Sequence, residues 1–127
     1  MNVLESGQDY LERILMLQKK LGKVRAIDIA NDMNYSKPSV SIALKKLKQL
    51  NLINVSGEGY ITLTEEGMKI ALMIYEKHTV ITSFLLHIGV NKELALKDAC
   101  KMEHDLCDET FLKLKEFCEK NNIINNK

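Results

Sequence analysis

The chain has 127 residues, 46% of them hydrophobic and 28% charged, with a formal net charge of +1. That length holds one domain or two small ones with a shared core, and the near-neutral balance excludes a chain that is basic throughout. No apolar run approaches the roughly 18 residues of a membrane span. The N-terminus lacks a basic region followed by an apolar core, so no secretion signal is expected. Cysteines stand at 100, 107 and 118. An odd count without a signal points to a reducing cytoplasm rather than to a disulfide framework.

Charge is unevenly placed. Between Tyr35 and Gly57 the charges are Lys37, Lys45, Lys46 and Lys48, with no acid among them. Between Asn91 and Glu119 the acids are Glu93, Asp98, Glu103, Asp105, Asp108, Glu109, Glu116 and Glu119, against five lysines. A basic middle and an acidic end suggest two tasks, phosphate contact and cation binding.

In chain order, Ser6 is expected to cap a first helix that runs to about Lys20 and ends at Leu21-Gly22. Tyr10, Leu11, Ile14, Leu15 and Leu17 form its apolar side. A short helix follows near Ala26–Met33, with Ala26, Ile29, Ala30 and Met33 inward. Asn34-Tyr35 makes a tight turn. Ser36 caps a third helix, and Pro38 falls in its first turn, where a missing N–H costs nothing. Val40, Ala43, Leu44 and Leu47 form its buried stripe. Ile53/Val55 and Ile61/Leu63 alternate around Ser56-Gly57-Glu58-Gly59 and predict a β-hairpin. Thr64 caps a long helix to about Ile88, closed by Gly89. Asn91 caps another to about Leu106, and a last helix spans about Asp108–Lys120, with Phe111, Leu114, Phe117 and Cys118 on one side. The tail from Asn121 is expected to fray. The fold class is therefore mainly α with a small β-hairpin.

Two short helices, a tight turn, a basic second helix and a hairpin are the parts of a winged helix-turn-helix. That fold lays its second helix in the DNA major groove and its wing along the backbone. With Val40, Ala43, Leu44 and Leu47 buried, the exposed side of the third helix carries Ser36, Lys37, Pro38, Ser39, Ser41, Ile42, Lys45, Lys46 and Lys48. Lysines neutralise phosphates, serines bond phosphate or base edges, and Ile42 suits a thymine methyl group. Lysines alone also mark any solvated helix face, and winged helices mediate protein contacts too. The order of the elements is what points to DNA.

Cys100-x-x-Glu103-His104 sets a thiol, a carboxylate and an imidazole at i, i+3 and i+4 on a helix, hence on one face. All three are ligand types for first-row transition metals. The apolar stripe of that helix is expected to be Leu96, Ala99, Cys100 and Leu106, and Glu103 falls inside it. A carboxylate buried there without a partner would cost several kcal/mol, so it needs a cation, a proton or solvent. His78 lines up with Ala71, Ile74, Tyr75, Ile81 and Leu85, where a hydrogen-bonded core histidine is the commoner outcome. Asp9 and Glu12 share a face of the first helix, where acids also suit the helix dipole. Together these residues offer a six-ligand site, or two neighbouring sites, drawn from three helices. Cys107 and Cys118 are expected to pack, and His87 to lie on the surface. There is no His-Glu-x-x-His, no Gly-rich phosphate loop and no Ser/His/Asp grouping, so the chain is not expected to be an enzyme.

These features resemble the family of metal-dependent repressors that includes the diphtheria toxin repressor, the iron-dependent regulators and the manganese transport regulators. The resemblance covers nearly the whole chain. It rests on Asp9-Tyr10-Leu11-Glu12, Ser36-Lys37-Pro38-Ser39-Val40-Ser41 ahead of Leu44-Lys45-Lys46-Leu47, Leu63-Thr64-x-x-Gly67, His78, and Cys100-x-x-Glu103-His104. It implies a cytoplasmic homodimer with a winged helix-turn-helix domain over residues 1–70 and a helical metal-binding and dimerisation domain over 71–127. Metal at their junction would promote binding to a palindromic operator, so as to control metal-uptake genes. Asp9, Glu12, His78, Glu103 and His104 match manganese-type ligand positions. Cys100 departs from that type, which has Glu there. Iron-type members carry Cys at that position but have Met and a basic residue in place of Asp9 and Glu12. The implied ion is Fe²⁺ or Mn²⁺, with Zn²⁺ or Co²⁺ able to substitute. The chain also resembles the shorter manganese-type form, without the third, SH3-like domain of iron-type members. Ile42 stands where the toxin repressor is polar, so the operator sequence does not carry over. The rival reading is a metal-independent winged-helix module for DNA or protein.

Overall fold

The computed structural model describes residues 5–124. They form α1 (Glu5–Leu21), α2 (Ala26–Met33), α3 (Lys37–Gln49), β1 (Ile53–Val55), β2 (Ile61–Leu63), α4 (Glu65–His87), α5 (Lys92–Asp105) and α6 (Asp108–Lys120). The backbone divides into two compact units, Met1–Met73 and Ile74–Lys127, with the division inside α4. None of the described helices is long and apolar enough to cross a membrane.

In the first unit the local signals act where they stand. Gly22, at φ +84°, ends α1 with its N–H on the Gln18 carbonyl at 2.9 Å. Asn34 adopts φ 57°, a left-handed conformation that asparagine tolerates, and the Tyr35 N–H returns to the Ala30 carbonyl at 3.1 Å. The Ser36 Oγ accepts from the Ser39 N–H at 3.3 Å, and Pro38 sits in the first turn of α3. Ser6 does not cap α1, because the helix has already begun at Glu5. β1 and β2 pair antiparallel with Asn54 opposite Thr62. Ser56 closes the loop, accepting from the Tyr60 N–H on its Oγ at 3.0 Å.

The core of this unit is Tyr10, Leu11, Ile14, Leu15 and Leu17 of α1 against Ile29, Ala30, Val40, Leu44, Leu47, Ile53 and Ile61. Two expected inward positions turn out. Val55 ends β1 beside the hairpin loop and is exposed, although its cross-strand partner Ile61 is buried. Ala26 is exposed as well. Its place is taken by Val24, fully buried, whose carbonyl accepts from the Ile61 N–H at 2.8 Å. The α1–α2 connector thus pairs with the hairpin as a single bridge, and α2 begins only after the inward residue has been spent there.

In the second unit, Val80, Phe111 and Cys118 are buried together, with Phe84, Leu114, Ile123 and Ile124 packed on them. Gly89, at φ +101°, closes α4, and the Asn91 Oδ1 caps α5 by accepting from the Leu94 N–H at 2.9 Å. The buried line of α5 is Ala95, Ala99 and Glu103, not Leu96 and Cys100, both of which are exposed. The helix is rotated by about one residue from the expected stripe. Cys107 does not pack; it is exposed at the N-cap of α6. The tail from Asn121 does not fray where it is described: Ile123 packs on the Val80–Phe111–Cys118 cluster with its N–H on the Cys118 carbonyl at 2.8 Å, and residues 125–127 lie outside the described residues.

Candidate metal centre and nucleic-acid interface

On α3 the residues expected to face DNA are all exposed: Ser36, Lys37, Pro38, Ser39, Ser41, Ile42, Lys45, Lys46 and Lys48. The opposite side holds the helix to the unit through Val40, Leu44 and Leu47, with Ala43 half-buried between the two faces. Ile42 is 70% exposed. Its side chain is therefore open to contact from outside the unit. Ser36 has a structural task as well: its hydroxyl donates to the Ser39 Oγ at 2.8 Å while accepting from the Ser39 N–H. Ser36→Ala is expected to lower stability by about 1 kcal/mol, the usual cost of a lost N-cap. A urea melt of the two proteins checks this.

Beside α3 runs a groove of about 560 Å³ lined by Tyr10, Tyr35, Ile42 and Lys46 among others. The Tyr10 and Tyr35 rings stand 6.0 Å apart, and the Tyr10 hydroxyl is pushed above its ordinary range, first by burial and then by Tyr35. Beside the loop end of the hairpin, Lys23 and Arg25 flank buried Val24 and stand 4.9 and 4.5 Å from the Tyr60 ring centre. Sequence reasoning passed over this cationic pair. The signal was there: a charged-apolar-charged triplet alternates as a strand does, and Val24 pairs as one.

Asp9 and Glu12 stand on α1, in the first unit, three residues apart and so on one face. The other four expected ligands belong to the second unit. There α4 and α5 bring His78, Glu103 and His104 together. His78 Nδ1 lies 3.0 Å from Glu103 Oε2, and His104 Nε2 lies 3.6 Å from Glu103 Oε1. Glu103 is 1% exposed. One of its oxygens is satisfied by His78. The other, Oε1, has no hydrogen-bond partner among the described residues, and His104 is too far to serve as one.

A buried carboxylate with one bonded and one orphaned oxygen is a costly arrangement for the protein alone. A cation on Oε1 resolves it, and the donor set, a carboxylate with imidazole on either side, is a transition-metal set. The His78 contact also fixes a tautomer. A neutral ring that donates Nδ1–H to the carboxylate carries its lone pair on Nε2, the pattern of metal-ligating histidines. Cys100, one turn before Glu103, is exposed and adds a thiol. The residues present therefore fit a divalent metal. Cys107 is a different case. Its Sγ lies 3.3 Å from the Thr110 Oγ1, and the thiol is held below its usual range, first by that hydroxyl and then by the Thr110 backbone N–H. It stands at the N-cap position of α6 with its thiol on the Thr110 hydroxyl and makes no side-chain cap hydrogen bond.

Comparison with known proteins agrees with both halves. The N-terminal DNA binding domain of iron dependent repressors matches residues 2–60, and the metal binding and dimerisation domain of the same family matches residues 64–122. The chain is 37% identical over 112 residues to the transcriptional regulator MntR of Escherichia coli, which covers 88% of this chain and 72% of that one. It is also 37% identical over 118 residues to an HTH-type transcriptional regulator of Methanocaldococcus jannaschii, covering 91% and 94%. Among solved structures it is similar to the manganese regulator SloR, with 29% identity, a TM-score of 0.79 and 89% of this chain covered. The metal-dependent transcriptional regulator MtsR is similar at 26% identity and a TM-score of 0.83. The chain spans about half the length of those two structures, 53% of each. The relatives are transcriptional regulators, not enzymes. The chain belongs to the iron-dependent repressor family, whose members pair a DNA-binding domain with a metal-binding and dimerisation domain.

Proposed function

We propose that this protein is a cytoplasmic, homodimeric repressor whose grip on a palindromic operator is tightened by Fe²⁺ or Mn²⁺, and that it controls metal-uptake genes. The observation that carries the metal reading is the orphaned Oε1 of buried Glu103. Asp9, Glu12, His78, Cys100, Glu103 and His104 are the proposed ligands. Donor chemistry, and the match of all of these but Cys100 to manganese-type positions, support that assignment. SloR is described as a manganese regulator, and the related ScaR has been solved with Zn²⁺ bound. The exposed leucines Leu86, Leu94, Leu96 and Leu112, with Phe117, give the second unit an apolar surface suited to a second copy. The working division is residues 1–70 for DNA and 71–127 for metal and dimerisation.

The bound ion would supply positive charge to a set of carboxylates that otherwise repel one another. Asp9 and Glu12 belong to the helix that carries the DNA-binding core, and His78, Cys100, Glu103 and His104 to the other unit. Ligands shared in this way favour one arrangement of the recognition helices, the one able to enter successive major grooves. The coupling is reciprocal: operator DNA tightens the hold of the ligands on the metal by the same factor. Cys100 softens the set toward Fe²⁺, Zn²⁺ or Co²⁺, while Asp9 and Glu12 add hard oxygens that suit Mn²⁺.

The test uses duplex DNA selected by the protein from a random-sequence pool. Binding is measured by fluorescence anisotropy with Mn²⁺, with Fe²⁺ under anaerobic conditions, and with chelator. The expected result is at least tenfold tighter binding with metal, a coupling of about 1.4 kcal/mol or more. Equal affinity with metal and with chelator would overturn the reading in favour of a metal-independent winged-helix module.

A further inference from the structure

Three consecutive residues of α4 reach the other helices of the second unit. Glu76 Oε2 accepts from Lys115 Nζ at 3.2 Å, Lys77 Nζ lies 3.6 Å from Asp108 Oδ1, and His78 Nδ1 lies 3.0 Å from Glu103 Oε2. Lys77 is the unusual one. It is 7% exposed, where lysine is almost never found unless paired. Its ammonium stands 5.8 Å from the centre of the Phe111 ring and has Asp108 as its anion. Asp108 is the first residue of α6, and only Leu106 and Cys107 separate α6 from α5.

We propose that Lys77 and Asp108 are a positioning pair for the metal centre. They fix the end of α5, and with it Glu103 and His104, against the same stretch of α4 that carries His78. An ammonium is not a metal ligand, and the Asp108 side chain is 95% exposed, so neither residue belongs to the coordinating set. Packing alone does not call for a charge here. Val80, Phe111 and Cys118 form an apolar cluster on these helices, and an apolar side chain in place of Lys77 would suit it at no loss of stability. A charged pair adds direction: it ties one residue of α4 to one residue at the α5–α6 turn. Small errors in such supporting contacts are felt as lost metal affinity.

The inference rests on the metal reading, and the experiment separates the two. Mn²⁺ binding to the full chain is measured by calorimetry, alongside the thermal melt of the metal-free protein. Asp108→Asn and Lys77→Met are each expected to weaken Mn²⁺ binding about tenfold, with the double variant no weaker than the singles. Lys77→Arg and Asp108→Glu, which keep the charges, are expected to restore most of the affinity. Asp108→Asn takes the anion from a buried ammonium, so its melt is read beside its affinity, whereas Lys77→Met removes the buried charge itself and should melt as the wild type does. Glu109→Gln removes a charge from the same helix turn without touching the pair, and should bind Mn²⁺ normally. Wild-type affinity in Asp108→Asn and Lys77→Met overturns the positioning role alone, as does an equal loss in Glu109→Gln. A wild type that binds no stoichiometric Mn²⁺ overturns the metal reading and the positioning role together.

Discussion

Glu103→Gln is expected to abolish the response to metal while leaving a folded protein that still binds DNA weakly. The glutamine amide has the shape of the carboxylate, and its carbonyl oxygen can still accept from His78 Nδ1, 3.0 Å from Oε2 in the native chain. What is lost is the charge on a side chain that is 1% exposed. Removing a charge from so dry a place relieves desolvation, so the metal-free variant should melt no lower than the wild type. The metal loses an anionic ligand at the centre of the set. Supporting contacts around a metal are worth 10–100-fold in affinity, so loss of the ligand itself should cost about 100-fold or more. Calorimetry with Mn²⁺ and operator anisotropy, run on the same preparations, check both halves. A variant whose operator affinity still rises with Mn²⁺ as in the wild type would remove Glu103 from the switch.

The elements were legible in the sequence because their signals are local. Asn34, Ser36, Thr64, Asn91 and the glycines at 22 and 89 act on the backbone within a turn of themselves, and each bounds its helix as expected. Burial was harder, because it depends on what a helix meets. The expected apolar stripe put Leu96 and Cys100 inside α5, whereas the buried line runs through Ala95, Ala99 and Glu103. Ala26 faces out because Val24, three residues past the end of α1, has joined the hairpin, a tertiary pairing no window of sequence contains. At the candidate centre, the i, i+3, i+4 spacing was enough to single out Cys100, Glu103 and His104. It was not enough to find Lys77, whose only sign is its place among apolar neighbours on α4. Cys107, expected to pack, falls in the two-residue connection between α5 and α6, where its side chain is exposed.

Gly67→Ala should be the most damaging single methyl in the DNA-binding unit. A Cβ at Gly67 would stand 2.0 Å from the Leu52 carbonyl oxygen and 3.0 Å from its carbon. The obstacle is backbone, so it cannot swing away as a side chain would. It is also held in place. The Leu52 carbonyl accepts from the Thr64 N–H at 3.0 Å, and the Thr64 hydroxyl donates to the Asn51 carbonyl at 2.9 Å. The same hydroxyl accepts from the Gly67 N–H at 3.1 Å, so the first turn of α4 and the turn before β1 are stitched together across the glycine. Alanine would gain about 1 kcal/mol in helix propensity. Overpacking of this kind costs about 1–3 kcal/mol even where side chains can adjust, and more against a fixed carbonyl. The expected net effect is a loss of about 2 kcal/mol or more, with weaker operator binding because β1 leads into the wing. Gly57 is the control: a Cβ there meets nothing within 4 Å, so Gly57→Ala should leave stability within about 0.5 kcal/mol. Urea melts of both variants decide it. If Gly67→Ala is as stable as Gly57→Ala, the turn before β1 yields freely and the glycine is not what lets α4 approach it.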